Sequence, residues 1–353
     1  MRETRLGPLD CLLTLSGNRL SSRCFGHRRW GDYLNLVTRV VLILATGEQL
    51  RRISLKIMRH KNLPPLQLSV LAFVVAGLGN TCLFAFRRQD IKSLILRLLV
   101  NVEWRPTRWP LACACVALSV TLAIDVTVAV TGSSNAADLV ISAAAMCLSD
   151  SNMFFVYHPI LYVAVLQLFT RYEIQRLERM AQGILQEQST PWKWMQEVQL
   201  LAHTRRRFDR LFNVVPFILL ALPFLTLPTF VASLSRRSSG ASASDKVNGV
   251  FEALSFALPH AAIATSILFL VRSVEAAGDV RDEQISRVIA CIHERKLTRL
   301  YTEGWQPLVH QLQQLQRMQL TVGGMFPLEK SVILSFLSSL ISISVLVVQL
   351  LET

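Results

Sequence analysis

Long runs of apolar residues constrain the fold of this chain more than any other feature of its sequence. Six runs of 18 to 23 residues are nearly free of charge, and a helix needs roughly 20 such residues to cross a bilayer. A seventh run is shorter and carries Arg39, whose long side chain can reach the membrane surface. The predicted spans are 33–46, 66–86, 110–131, 153–170, 213–235, 250–271 and 331–350.

Composition supports a membrane protein and argues against a soluble enzyme. Of 353 residues, 52% are hydrophobic and only 17% are charged, whereas soluble domains are about 25% charged. The net charge of +13 is spread beside the apolar runs, so we do not expect nucleic acid as a partner. The seven Cys form no CxxC pair, and no nucleophile elbow or phosphate-binding glycine loop is present. We therefore expect no metal, no cofactor and no enzymatic activity.

The distribution of positive charge among the loops predicts the orientation. Most Lys and Arg residues lie between spans two and three, four and five, and six and seven, and none lies between spans three and four. Since Lys and Arg are retained in cytoplasmic loops, these three loops are predicted to be cytoplasmic. The N-terminus is then cytoplasmic and the C-terminus extracellular. Charge orients the first hairpin weakly, because its loop carries five Lys or Arg residues against six in residues 1–32.

The connections after spans four and six are too long for simple turns, and they have the periodicity of amphipathic helices. An apolar stripe on a polar helix needs a partner surface. We therefore predict helical extensions that form a cytoplasmic bundle, including the region 281–322 before the last span; a connector packed only against itself is the alternative. The whole chain, 1–353, is then one all-α membrane domain with seven transmembrane helices. The apolar positions of the stripes are Ile174, Leu177, Met180, Ile184, Ile285, Val288, Ile292, Trp305, Leu308, Leu312 and Leu315.

The last span carries a narrow stripe of polar residues. At 100° per residue, its members fall within about 60° of one another, and Val345 and Leu346 interrupt it before the final amide. A polar stripe in a membrane must face protein or water. Two interpretations stay open: small serines that allow close helix packing, or the lining of an oligomeric ion pore with a hydrophobic gate. The polar stripe consists of Ser331, Ser335, Ser338, Ser342 and Gln349.

The end of the chain resembles the insect gustatory receptor family. The segment 324–328 reads Gly-Met-Phe-Pro-Leu, Glu329 and Lys330 follow, and an apolar helix then ends in 342–350. That family ends in a Gly-hydrophobic-Phe segment and a span with Thr-Tyr, five residues, then Gln-Phe. Gln349 and the spacing match, whereas Ser, Ile and Leu replace Thr, Tyr and Phe. Length and predicted topology are also similar to those of the family.

The resemblance implies a ligand-gated, non-selective cation channel in the plasma membrane of a chemosensory neuron. It implies a homo- or hetero-tetramer with other gustatory receptor subunits, in which the last helix of each subunit lines the pore. Its ligand would be a small-molecule tastant, and its other partners would be membrane lipid and permeating cations. Gly323 and Gly324 would form a hinge between a cytoplasmic helix and the pore helix. The pore and gate residues would be Gln349, Leu346, Leu350, Val345, Ser342 and Ser338.

Polar and aromatic residues inside the middle spans are candidates for a ligand pocket, because pockets for small organic ligands combine these groups. An acidic residue within a span is costly and usually has a partner or a role. Packing in the core is the alternative for each residue taken singly. The candidates are Asn80, Phe84, Asp125, Tyr157, His158, Tyr162, Phe256 and His260.

Three other functions remain open from the sequence. A G-protein-coupled chemoreceptor would need an external N-terminus, which the loop charges oppose. A small-solute transporter would work without a continuous pore, and no internal repeat supports one. A co-receptor subunit that requires a partner is compatible with the substituted terminal motif.

Overall fold

The computed structural model describes residues 86–102, 150–186, 190–237, 243–298 and 304–352, together with seven isolated positions between 44 and 79. The predicted spans 33–46, 66–86 and 110–131 lie outside the described residues, apart from such isolated positions and residue 86. The helices and strands are α1 (Arg88–Asn101), α2 (Asp150–Leu185), α3 (Pro191–Phe212), α4 (Val214–Arg237), α5 (Ala243–Thr298), α6 (Trp305–Arg317), β1 (Thr321–Val322), β2 (Phe326–Pro327) and α7 (Lys330–Glu352).

Two of these helices are much longer than a membrane is thick. Helix α2 has 36 residues and α5 has 56, which correspond to about 54 Å and 84 Å at 1.5 Å per residue. The hydrocarbon core is only about 30 Å thick, so helices containing predicted spans four and six continue as the sequence predicts. By length and composition, one described helical stretch, Pro191–Pro228, is long and apolar enough to cross a membrane; Lys330–Leu346 is a shorter apolar helix.

The core lies where α2 and α5 pack along each other, with α3 and α4 against them. Aromatic side chains of α2 and α3 form its centre. The Phe169 and Phe208 rings stack with centroids 5.1 Å apart, and Phe212 stacks on Phe208 at 5.0 Å. Tyr162 lies edge-on to Phe208 at 5.6 Å. Aromatic pairs of this kind add to the stabilisation from burial alone, so α2 and α3 are firmly joined at this level.

Nine of the eleven apolar positions in the predicted amphipathic stripes are buried, and Ile174 and Trp305 are half-buried. Leu308, Leu312 and Leu315 of α6 pack against α3 and α5, while Gln306, Gln313 and Gln314 are exposed. Leu177 of α2 and Ile285 of α5 are also fully buried. The helical extensions therefore form one bundle with the rest of the described chain.

A short β-hairpin between α6 and α7 departs from the all-helical prediction. Strands β1 and β2 pair antiparallel, with Thr321 opposite Pro327 and Val322 opposite Phe326. Gly323 and Gly324 make the turn with φ of +61° and +77°, a region that other residues rarely occupy. Two successive residues with positive φ cannot continue a right-handed helix, and Pro327 removes a backbone donor. These local properties explain why a hairpin replaces helix here.

Candidate functional site

The polar stripe of α7 lies on the exposed surface of the chain. All five of its residues, Ser331 to Gln349, are exposed. The opposite side of α7 is covered, because Ile333 and Leu340 are buried and the helix packs mainly against α4. The polar stripe predicted from the sequence thus lies on the exposed part of α7, beside the exposed apolar residues Leu334 and Ile341.

Four of the six serine hydroxyls of α7 donate hydrogen bonds within their own helix. Ser335 donates to the Ser331 carbonyl at 3.0 Å, and Ser342 donates to the Ser338 carbonyl at 3.0 Å. A hydroxyl that donates to the preceding turn keeps its oxygen lone pairs as acceptors. Ser335 and Ser342 therefore keep acceptor oxygens on the exposed side without a partner from another segment, whereas Ser331 donates to the Glu329 carboxylate at 3.3 Å. Such oxygens can contact water or a partly hydrated cation.

Apolar residues interrupt the stripe near the end of α7. Val345 and Leu346 are 50% and 55% exposed. Gln349 follows one turn later and is exposed. Leu350 lies on the same helix, but the structure describes only its backbone. A ring of such apolar groups, repeated around an axis, is the kind of constriction that closes a pore by dewetting.

The glycine hairpin at the base of α7 is fixed to the turn between α3 and α4. The Gly323 amide donates to the Asn213 carbonyl at 2.9 Å. A Cβ on Gly323 would lie 2.9 Å from the ring of Phe217, whereas one on Gly324 would meet its nearest neighbour at 3.4 Å. Gly323 is therefore required for its conformation and for a close approach as well. Its role as a hinge stays a prediction.

Asp209 of α3 binds β1 through both carboxylate oxygens. Oδ1 accepts from the Thr321 backbone amide at 2.7 Å, and Oδ2 accepts from the Thr321 hydroxyl at 2.7 Å. Hydrogen bonds to a charged acceptor are stronger than neutral ones. This pair of bonds, called the α3–β1 link below, holds the first strand of the hairpin against α3.

A buried charge network lies beside the α3–β1 link and consists of Glu173 of α2, Arg205 of α3 and Arg281 of α5. The Nη1 of Arg205 donates to both Glu173 oxygens at 3.1 and 3.2 Å, while its Nε donates to the Met318 carbonyl at 2.9 Å. Arg281 donates to that same carbonyl and to the Gln316 carbonyl, each at 2.9 Å. Helices α3 and α5 thus hold the segment that joins α6 to β1, and Glu173 of α2 binds the Arg205 side chain.

Burial shifts the proton affinities within the buried charge network. It raises the pKa of the Glu173 carboxyl above its usual value of 4.5, although Arg205 and Arg281 act in the opposite direction. It also lowers the pKa of the Arg281 guanidinium, and the nearby positive charge of Arg205 adds to this. Burying charges is unfavourable unless they are paired and hydrogen-bonded, so the geometry of this network is constrained.

Sequence reasoning did not find this network, although the sequence contains a signal for it. Each charged member lies one helical turn from a buried apolar residue. Glu173 precedes Leu177, Arg205 follows Leu201, and Arg281 precedes Ile285, each by four residues. A charge at a core-facing position of an amphipathic stripe must have a buried partner. The partners themselves come from distant parts of the sequence, so the pairing needs the fold.

The candidate pocket residues are only partly described. His158 and Tyr162 are buried on α2, one turn apart, and Tyr162 contacts Phe208 and Phe212 edge-on. These contacts are also compatible with packing in the core. Only the backbone of Tyr157, Phe256 and His260 is described, in α2 and α5. Asn80, Phe84 and Asp125 lie outside the described residues, so the pocket stays a prediction.

Among the residues that the structure describes, no three or more His, Cys, Asp or Glu side chains are grouped to hold a metal ion.

Two comparisons with known proteins give matches, one to solved structures and one to a family model. The chain resembles the olfactory receptor OR5 of the insect Machilis hrabei in complex with eugenol, with a TM-score of 0.64, 11% identity and 97% of each chain covered. It also resembles a second structure of OR5 from Machilis hrabei, with a TM-score of 0.62, 10% identity and 97% of each chain covered. No curated protein matches significantly. The sequence profile of the 7tm chemosensory receptors matches residues 69–350, and the chain therefore belongs to this receptor family.

Proposed function

We propose that this chain is a gustatory receptor subunit that forms a tastant-gated, non-selective cation channel, with α7 lining the pore. The observation that carries the proposal is the exposed polar stripe of α7, which is interrupted by exposed Val345 and Leu346. A helix buried against lipid would place apolar residues on that face, because polar groups in hydrocarbon need partners. Family membership supports a chemosensory role.

The proposed assembly is a tetramer of identical or related subunits in the plasma membrane of a chemosensory neuron. Four copies of α7 would place their polar stripes around a common axis, with Gln349 and Leu350 near the outer end. The proposed topology has seven spans, a cytoplasmic N-terminus and an extracellular C-terminus. Epitope tags at the two termini of intact cells test it, because antibody access only to the C-terminal tag is expected. Access to the N-terminal tag instead would favour a G-protein-coupled topology.

Gating requires that a tastant bind the open arrangement more tightly than the closed one. Such binding would move α7 and allow water to enter between the rings of Val345 and Leu346. The tastant is a small organic molecule in this proposal, and the pocket residues predicted from the sequence are its candidate contacts. The channel needs no cofactor.

Replacement of Gln349 tests the pore directly. We expect Gln349→Ala to change the relative permeability of cations through the purified chain in planar bilayers, and Gln349→Arg to reduce cation current strongly. The matched control is Gln313→Ala, which removes the same amide from an exposed position of α6. Unchanged selectivity and conductance in both Gln349 variants would contradict a pore lined by α7. Solute uptake without single-channel steps would indicate a transporter.

A further inference from the structure

The base of α7 is bound by other helices before α7 begins. Asp209 holds Thr321 of β1 with two bonds of 2.7 Å. The Met318 carbonyl, three residues earlier, accepts from both Arg205 and Arg281 at 2.9 Å. The segment from the end of α6 to β1 is therefore hydrogen-bonded to both α3 and α5.

The hairpin continues this attachment to α7. The Leu328 amide donates to the Leu320 carbonyl at 2.7 Å, and the Glu329 carbonyl accepts from Ile333 in the first turn of α7. Only two residues separate β2 from α7. Because the hairpin is short and its strands are paired by hydrogen bonds, we expect a displacement of β1 to move the first turn of α7 with it.

Helix α3 also leads directly into the helix against which α7 packs. The chain makes a single turn at Asn213 between α3 and α4. Phe224 of α4 lies edge-on to Phe336 of α7 with ring centroids 5.5 Å apart, and Phe326 of β2 lies 6.2 Å from the same ring. Helix α4 thus contacts α7 along its side, while α3 holds the hairpin that precedes the base of α7.

We propose that Asp209 and Thr321 are positioning residues that transmit movements of α3 to the base of α7. This inference rests on the proposed function, because it assigns the α3–β1 link a role in setting the position of the pore helix. Arg205 is on the same face of α3, one turn before Asp209, and holds Met318. The two residues therefore move β1 and the preceding segment together whenever α3 shifts.

Hydrogen–deuterium exchange of the full chain in lipid nanodiscs tests the α3–β1 link without any ligand. We expect Asp209→Ala to raise exchange about tenfold in residues 318–329 and in 330–337 of α7, since it removes two bonds to a charged group. Thr321→Val removes one bond and should raise exchange in the same peptides by a smaller factor. Thr321→Ser keeps both bonds and should restore the exchange of the unsubstituted chain.

A matched control removes a different contact of α3. Arg207 of α3 donates to Asp90 of α1 at 3.3 Å, so Asp90→Ala should leave exchange in 318–337 unchanged. A faster exchange that stops before residue 330 would overturn the proposal. So would an equal increase in the core peptide 161–169, because that indicates loss of the whole fold.

Thallium flux into proteoliposomes separates this inference from the proposed function. Asp209→Ala and Thr321→Val should shift basal flux in the same direction, and the double variant should show no more than the larger single change. If the fold-changes in flux of the two single variants multiply in the double variant, the two residues do not act through a single link. Leu346→Ala widens the proposed gate and should raise flux without altering exchange in 318–329. If Leu346→Ala leaves flux unchanged while the exchange results are as expected, the proposed pore is wrong and the α3–β1 link stands. If Leu346→Ala raises flux but Asp209→Ala leaves exchange unchanged, the link alone is rejected.

Discussion

The buried charge network and the polar stripe satisfy their polar groups in opposite ways. In the network, Glu173, Arg205 and Arg281 come from three helices and bond with one another or with carbonyls of a fourth segment. On α7, the hydroxyls of Ser335 and Ser342 bond only to carbonyls of their own helix. The first arrangement is complete within one chain. Ser335 and Ser342 need no partner from another segment of the chain, and both remain exposed.

This difference separates positions that hold the subunit together from positions available to something outside it. Removing a buried partner leaves a charge without compensation, which is strongly unfavourable. Removing an exposed hydroxyl that bonds within its helix costs little. Stability measurements should therefore respond to the network, and permeation measurements should respond to the stripe.

The largest effect is expected from breaking the pair of Glu173 and Arg205. Glu173→Leu should lower the free energy of unfolding by about 3–5 kcal/mol, because Arg205 remains buried without its carboxylate partner. The double variant Glu173→Leu/Arg205→Met should recover much of this loss, since two apolar side chains can replace a buried pair. Melting temperatures of the detergent-purified chain provide the measurement. A double variant less stable than the single would show that the lost Met318 contact dominates.

A smaller effect is expected where the hairpin approaches α4. Gly323→Ala introduces a Cβ 2.9 Å from the Phe217 ring at a φ of +61°, so we expect a loss of about 1–3 kcal/mol. Gly324→Ala shares the unfavourable φ of +77° but has its nearest neighbour at 3.4 Å. Its melting temperature should fall less than that of Gly323→Ala. Equal losses would mean that backbone conformation alone accounts for both glycines.

Periodic features of the sequence predicted the helices and the exposed stripe well. The stripe follows from a rotation of 100° per residue, and burial of Leu308, Leu312 and Leu315 follows from the same periodicity. Continuation of α2 and α5 beyond the spans was also visible, because their apolar spacing does not stop at the last uncharged residue. Helical periodicity is local, and so a single sequence is enough to detect it.

Contacts between distant segments were not predictable in the same way. Asp209 and Thr321 are 112 residues apart, and Arg205 and Met318 are 113 apart. In the sequence the spacing from Leu201 places Arg205 on the buried side of α3, but nothing there identifies Glu173 or Met318 as its partner. The glycine pair indicated a break before α7, but its pairing into a hairpin depends on Asn213 and Phe217 of a different segment.

The pH dependence of stability probes how burial and charge compete at Glu173. Because burial raises the pKa of Glu173 above 4.5, the folded chain takes up this proton at a higher pH than the unfolded chain. The resulting stabilisation is complete below the unfolded value and is lost as pH rises through the folded value. The melting temperature of the unsubstituted chain, relative to Glu173→Gln, should therefore fall as pH increases above about 4.5. The opposite slope would mean that Arg205 and Arg281 outweigh burial.

The smallest effect on stability, and the most informative for function, is expected from the serines of α7. Ser342→Ala on the polar stripe and Ser344→Ala beside it both remove a hydroxyl that bonds to the preceding turn. Each should change the free energy of unfolding by no more than about 0.5 kcal/mol. Single-channel conductance in planar bilayers should nevertheless change only for Ser342→Ala, because Ser342 is exposed on the stripe whereas Ser344 is half-buried. Equal conductances for the two variants would indicate that the stripe contacts lipid or a neighbouring helix, since a pore distinguishes the lining residue from the one beside it.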